Sequence, residues 1–193
     1  MQMLRNHSLE ELLELVALNN EQAIAEVLNR SKSKFYTAIY LLVKDRYIAE
    51  DIFQDAFIKI INSIRAGKYK HDGKFIPWAM RIAHNLAIDH LRSIKKMPKV
   101  TLPDGQDIFS VLNFSEKNIE DHMMSHQSAG RVRKMLDHIP YEQREVIVLR
   151  MYGNMSFKQI AELTDSSLNT ALGRMRYGLI NLRKLMDQHG ILL

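Results

Sequence analysis

Trp78, Arg81, Asn85 and Arg92 follow one another at intervals of three, four and seven residues. At about 100° per residue, that spacing gathers them on one face of a helix. An indole, two guanidinium groups and a carboxamide on one face have the chemistry to stack an unpaired base and hold phosphates. Just upstream, Lys68-Tyr69-Lys70-His71-Asp72-Gly73-Lys74 adds positive charge and a second aromatic ring beside a flexible glycine. Basic residues interleaved with aromatics suit single-stranded nucleic acid better than a membrane or a small anion. The competing reading places Tyr69 and Trp78 in the core or at its boundary, where most aromatics belong.

The element that must carry this face is a helix starting near Phe75. Pro77 is tolerated in its first turn, where an N–H would be unpaired anyway. Ala79, Ala83, Leu86, Ala87, Leu91 and Ile94 form its buried stripe, and Ile88 and Asp89 join the outward side. The helix before it, from Ala49, buries Ile52, Phe53, Ala56, Phe57, Ile60 and Ile64. Asp51, Gln54, Asp55 and Asn62 gather opposite, with Ile58 among them. An aliphatic residue ringed by carboxylates on an outward face suits docking, with a dry centre and a charged rim. A solvated face with one exposed isoleucine is the alternative.

Upstream, Ser8 and Glu11 form a capping box, and Leu9, Leu12, Leu13 and Val16 give a short first helix its buried side. Asn19-Asn20 breaks the chain, and a longer helix runs through Ala23, Ile24, Val27, Leu28, Phe35, Ile39, Leu42 and Val43 to about Lys44-Asp45. No alternating segment is long enough for a strand.

A second chemistry lies near the C-terminus. Ser156 and Gln159 form another capping box before Ile160, Ala161 and Leu163, Thr164 to Ser167 is a tight turn, and an arginine-bearing helix follows. Two helices joined by a turn of about four residues, the second basic, form the helix-turn-helix pattern. Such a helix enters the major groove by its N-terminal turns, so Ser167, Asn169, Thr170, Gly173 and Arg174 are the candidates near base edges. Arg176, Tyr177, Arg183 and Lys184 suit phosphates. Ala171, Met175, Gly178, Leu179 and Leu182 line the core side. Ahead of this motif, Val132, Met135, Leu136 and Ile139 build one helix, and Pro140 opens another in which Val146, Ile147, Leu149 and Met151 point inward until Gly153 stops it.

Charge divides the chain in the same way. The 193 residues carry a net +5, but residues 58–99 hold 10 Lys/Arg against 2 Asp/Glu, and 131–193 hold 10 against 6. Between them, residues 100–130 hold 1 against 5. Two basic blocks flanking an acidic one imply two anion-binding modules on a connector that avoids the anion. The expected architecture is all-α: two small helical domains at 1–97 and 131–193, the second a helix-turn-helix, joined by a flexible acidic linker at 98–130 where Pro98, Pro103 and Gly105 interrupt any period. A short helix near Ile119 to His126 is expected within the linker.

The absence of cysteine excludes disulfides and thiol nucleophiles. No apolar run of about 18 residues spans a bilayer, and MQMLRNHSLEELLEL is unlike a signal peptide, so the cytoplasm is the default and membrane insertion is not expected. His122 and His126 have the i, i+4 spacing of metal ligands but no third ligand at a matching distance, so no metal and no cofactor are expected. The sequence has no phosphate-binding glycine loop, no His–Glu zinc motif and no paired carboxylates in an evident pocket, so it is not expected to be an enzyme.

AEDIFQDAFIKI followed by GKFIPWAMRIAHNLAIDHLR resembles the second domain of bacterial sigma factors of the extracytoplasmic-function group, the dissociable promoter-recognition subunits of RNA polymerase. LDHIPYEQREVIVLRMYGNMSFKQIAELTDSSLNTALGRM resembles their fourth domain. The resemblance implies that Asp51, Gln54, Asp55 and Ile58 dock on core RNA polymerase. It implies that Tyr69, Lys70, His71, Lys74, Trp78, Arg81, Asn85 and Arg92 capture the melted minus-ten element of promoter DNA. The minus-thirty-five duplex falls to Ser167, Asn169, Thr170, Gly173, Arg174, Arg176, Tyr177 and Lys184. It also allows for an anti-sigma factor as a partner, and for an acidic connector that imitates RNA in a polymerase channel; by composition alone the connector is equally a solvated tether.

Three positions depart from the family pattern. Asp165 stands where glycine is usual in the turn, and Leu172-Gly173 replace a frequent Lys-Ser pair, which bears on the promoter sequence rather than on the fold. The alternative is a stand-alone helix-turn-helix regulator, which explains Ser156 to Lys184 but neither the Asp51/Asp55/Ile58 face nor the basic aromatic loop. The positive charge of the last helix opposes a third reading, a protein that binds polymerase without DNA.

Overall fold

The computed structural model describes residues 4–70, 72–96 and 134–189. The expected linker, its short helix and the His122/His126 pair lie outside the described residues, as does His71.

Local chemistry fixes the N-terminal elements where the sequence indicates. Helix α1 (Leu9–Ala17) begins at the capping box: Ser8 Oγ accepts from the Glu11 N–H at 3.2 Å, and Glu11 Oε2 accepts from the Ser8 N–H at 2.6 Å. Asn19 takes a positive φ of 62° in the break, and Asn20 Oδ1 caps α2 (Glu21–Val43). Lys44, with φ 61°, ends α2 in the left-handed region, and Asp45 caps α3 (Arg46–Arg65) through the Ile48 N–H. After the loop comes α4 (Phe75–Lys96).

α2 packs against α1, α3 and α4 around Leu12, Leu13, Phe35, Ile39, Leu42, Phe53 and Ile60. Ala79, Ala83 and Ala87 are fully buried one turn apart on α4. Side chains that small let a helix approach its neighbours closely.

The C-terminal unit comprises α5 (Tyr141–Met151), α6 (Phe157–Leu163) and α7 (Leu168–Gln188). Every residue of α5 from Arg144 to Leu149 is buried. A helix buried all round must have neighbours on every side. Those neighbours are α6 and α7 on one side and α2 of the first unit on the other, so the two halves are in contact.

Arg150 links α5 to α6. Its Nη1 donates to the Met155 carbonyl at 2.8 Å, and its guanidinium lies 5.3 Å from the Phe157 ring centre. At the crossing of α5 and α7, Gly178 permits close approach, because a Cβ there would lie 2.9 Å from Ile147 Cδ1.

Three residues assigned inward by periodicity are exposed instead: Ile94 (47%), Met151 (63%) and Leu179 (45%). Ile94 is in the last turn of α4 and Met151 is the final residue of α5. Leu179 is about 100° round the helix from Gly178, off the narrow line along which α7 meets α5.

No described helix is long and apolar enough to cross a membrane.

Candidate nucleic-acid interface

The 66–74 loop is shaped by residues that need particular backbone geometry. Gly67 and Gly73 take φ of +67° and +73° with open space around them. Asp72 Oδ1 accepts from the Lys74 N–H at 3.2 Å and Oδ2 meets Lys74 Nζ at 3.1 Å. The Lys74 side-chain contact holds the Asp72 carboxyl below its ordinary range. Lys68, Lys70 and Lys74 are exposed, so the loop presents cations.

Tyr69 follows the reading that places it in the core. It is 5% exposed, with its ring 4.9 Å from Trp78 and 5.9 Å from Phe75, and its hydroxyl donates to Glu10 Oε1 at 3.2 Å. Burial and the nearby Glu10 carboxylate raise its pKa. The tyrosine anchors the loop to α1 and α4, because the apolar ring gains more from the Phe75–Trp78 cluster than from water. Trp78 is half-buried in that cluster and keeps part of its surface accessible. Beyond it on α4, Arg81, Asn85 and Arg92 are exposed on one face, as the spacing requires. Arg92 lies 3.9 Å from Asp89 within the helix.

On α3, Asp51, Gln54, Asp55 and Ile58 are all exposed, and Ile58 is 59% accessible. Asp55, Ile58, Lys59, Asn62, Ser63 and Lys68 line a groove of about 490 Å3 closed by Leu86 of α4. An apolar floor bounded by both signs of charge fits a helical partner with a mixed surface.

The helix-turn-helix geometry is present in α6 and α7. Ser156 and Gln159 complete the expected capping box on α6. Asp165 adopts φ 47° in the turn, the left-handed conformation for which glycine would be the default, and the Ser166 N–H then reaches the Ala161 carbonyl at 2.9 Å. Ser167 Oγ caps α7 through the Thr170 N–H at 3.0 Å and lies 2.8 Å from the Thr170 hydroxyl. Ser167 and Thr170 therefore also serve the helix start. Asn169, Arg176, Tyr177 and Lys184 are exposed, while Gly173 and Arg174 are half-buried.

Periodicity did not reveal the seam between the two units. His84 of α4 and Glu145 of α5 are buried together, with Nε2 2.9 Å from Oε1, and the Tyr141 hydroxyl donates to the same oxygen at 3.1 Å. Burial and that carboxylate raise the Tyr141 hydroxyl pKa. Arg144 is buried beside them, its guanidinium 5.5 Å from the Tyr141 ring centre, and burial lowers its pKa. The available signal was Arg144-Glu145 directly before the apolar run Val146 to Leu149. Charges adjoining a helix that is apolar all round need buried partners.

The sequence matches Sigma-70 region 2 over residues 28–97 and Sigma-70 region 4 over residues 129–172. The chain belongs to the sigma factors of the extracytoplasmic-function group. It is 28% identical to the ECF RNA polymerase sigma factor SigW of Bacillus subtilis across 91% of this chain and 95% of that protein. It is also 28% identical to SigK of Mycolicibacterium vanbaalenii, across 92% and 89%. Among solved structures, CnrH in complex with the cytosolic domain of CnrY superposes with a TM-score of 0.58 at 20% identity, covering 93% of this chain and 97% of that one. The sigma factor RpoE in complex with the anti-sigma factor NepR from Bartonella quintana gives 0.61 at 17%, covering 84% and 96%. These likenesses establish the sigma fold; the region 2 match runs through α4, and the region 4 match takes in α5, α6 and the first turn of α7.

Proposed function

We propose that this sigma factor divides its work among three surfaces. α3 docks on core RNA polymerase through Asp51, Gln54, Asp55 and Ile58. The 68–74 loop and the outer face of α4 hold the melted minus-ten strand, with Lys70, His71 and Lys74 near phosphates, Trp78 offering the stacking surface, and Arg81, Asn85 and Arg92 along its path. Tyr69 acts as the loop's anchor. α7 reads the minus-thirty-five duplex with Asn169, Thr170, Gly173 and Arg174 near base edges, Ser167 at the helix start, and Arg176, Tyr177 and Lys184 at phosphates. The domains are then 1–97 and 131–193, joined by 98–130.

The observation that carries this reading is the joint exposure of the α3 carboxylates around Ile58, since a regulator that works alone has no use for that face. Nucleotide polymerisation belongs to the core enzyme, and no bond chemistry is assigned to this chain. It acts in the cytoplasm, where polymerase and chromosome meet. The likeness to RpoE bound to its anti-sigma factor supports such a partner here too.

The test is transcription of fragmented source-genome DNA by core polymerase with and without the purified protein. Discrete start sites sharing an upstream pair of elements are expected; a start-site map unchanged by the protein would overturn the assignment.

A further inference from the structure

The first two turns of α7 carry an apolar pair that none of the surfaces described above uses. Leu168 is 48% exposed and Leu172 is 43% exposed, and their spacing of four residues sets them one turn apart on one flank of the helix. A single exposed leucine is ordinary. This pair stands where a recognition helix enters the major groove, among Ser167, Asn169 and Thr170, whose side-chain oxygen and nitrogen atoms suit base edges.

Neither leucine serves as the inward residue at this level of the helix. That place belongs to Ala171, which is fully buried. Gly173 follows with open space where a Cβ would lie, so no side chain there holds the helix away from the groove floor. Arg176, one turn beyond Leu172, is exposed toward the same side and suits the phosphates that wall the groove. Leu179 continues the apolar flank but lies about 10 Å further along the axis, past the turns that reach bases.

An aliphatic side chain makes no hydrogen bond, so Leu172 cannot read the donors and acceptors that base pairs present in the major groove. The apolar group available there is the C5-methyl of thymine. Closing a leucine over that methyl takes apolar surface on both sides out of water, whereas closing it over another base edge would take a donor or acceptor out of water with no partner. We propose that Leu172, backed by Leu168, reads thymine in the minus-thirty-five duplex by its methyl group, so the element this sigma factor prefers holds a thymine where Leu172 lands. This rests on the minus-thirty-five reading of α7.

Uracil isolates the claim, because it pairs as thymine does and lacks only the methyl. Selection from randomised duplexes by the full chain gives the preferred sequence. Each thymine in it is then replaced singly by uracil, and binding is measured by fluorescence anisotropy. At one or two thymines the loss should be about fourfold, the effect of burying one methyl-sized group. Leu172→Ala should bind the thymine and uracil duplexes equally at that position while keeping its preferences elsewhere. Leu172→Met, of similar volume, should keep the difference. Leu172 is exposed, so both variants should match the parent in helical circular dichroism, which separates a change in binding from unfolding.

Equal binding of thymine and uracil duplexes by the parent at every position would overturn the proposal, as would a methyl preference that survives Leu172→Ala. If Leu172→Ala leaves every duplex affinity unchanged but lowers transcription with core polymerase, the leucine flank meets protein and the proposal is wrong. A parent that selects no sequence at all refutes the minus-thirty-five reading of α7 itself, and the methyl contact falls with it.

Discussion

Two glycines on α7 separate packing from groove recognition. Replacing glycine by alanine inside a helix gains about 0.8–1 kcal/mol of intrinsic helix preference, whichever glycine is chosen. At Gly173 an added Cβ meets nothing within 4 Å, so Gly173→Ala should raise stability by about that amount. At Gly178 the Cβ would sit 2.9 Å from Ile147 Cδ1 and 3.3 Å from Gln143 Cβ. The Ile147 methyl can turn, but Ile147 is only 4% exposed and the Gln143 Cβ is fixed to the backbone of α5. Overpacking of this kind costs about 1–3 kcal/mol, so Gly178→Ala should lose about 1 kcal/mol net. The difference between the variants, about 2 kcal/mol, is the firmer expectation because the shared helix preference cancels. Urea denaturation of the full chain, followed by circular dichroism, measures both, and duplex binding by fluorescence anisotropy adds a functional reading. If the backbone at Gly173 approaches the groove, Gly173→Ala gains stability and loses duplex affinity together. A Gly178→Ala protein at least as stable as Gly173→Ala would refute the α5–α7 crossing described above.

Other expectations follow from the same geometry. Arg174→Ala should weaken duplex binding by about 1–3 kcal/mol with a sequence-dependent loss if it reads a base; equal loss on all sequences would make it a phosphate contact. Trp78→Ala should spare closed-promoter binding and impair melting, while Trp78→Phe, which preserves packing on Tyr69 and Phe75, should retain more of it; normal permanganate reactivity in the alanine variant would exclude a stacking role. Tyr69 and Tyr141 have pKa values raised by burial and by Glu10 and Glu145 from the ordinary 10.0. The unfolded chain ionises first, so this contribution to stability is complete below pH 10 and declines above it. A Tyr69→Phe/Tyr141→Phe protein should show a shallower fall in urea midpoint between about pH 9 and 11, and parallel curves would show that neither hydroxyl is held as described.

The sequence was most legible where local chemistry decides structure. Ser8/Glu11 and Ser156/Gln159 satisfy helix N–H groups from within a few residues, and no distant part of the chain is needed to find them. The α3 face was also readable, because Asp51, Asp55 and Ile58 are outward whatever α3 packs on. Asp165 showed that a residue other than glycine can take the left-handed turn and leave the motif intact. Tyr69 was harder to place because a tyrosine in a basic loop satisfies either reading; its packing on Phe75 and Trp78 and its hydroxyl contact with Glu10, 59 positions away, favour the core. His84–Glu145 spans 61 positions, so spacing within a helix carries no information about it. A helical period identifies which side is covered but not which of two units covers it.

The measurement that bears most directly on the sigma assignment is gel filtration of the purified protein with core RNA polymerase, because it requires no promoter. Asp55 is exposed beside Ile58 on the groove along α3 and makes no ion pair among those found across the described residues, so its charge can be reversed without breaking a fold contact. Stoichiometric co-elution is expected and should be lost in Asp55→Arg, while the variant keeps its helical spectrum and its duplex binding. A folded wild-type chain that elutes apart from core polymerase, or an Asp55→Arg protein that co-elutes unchanged, would contradict it.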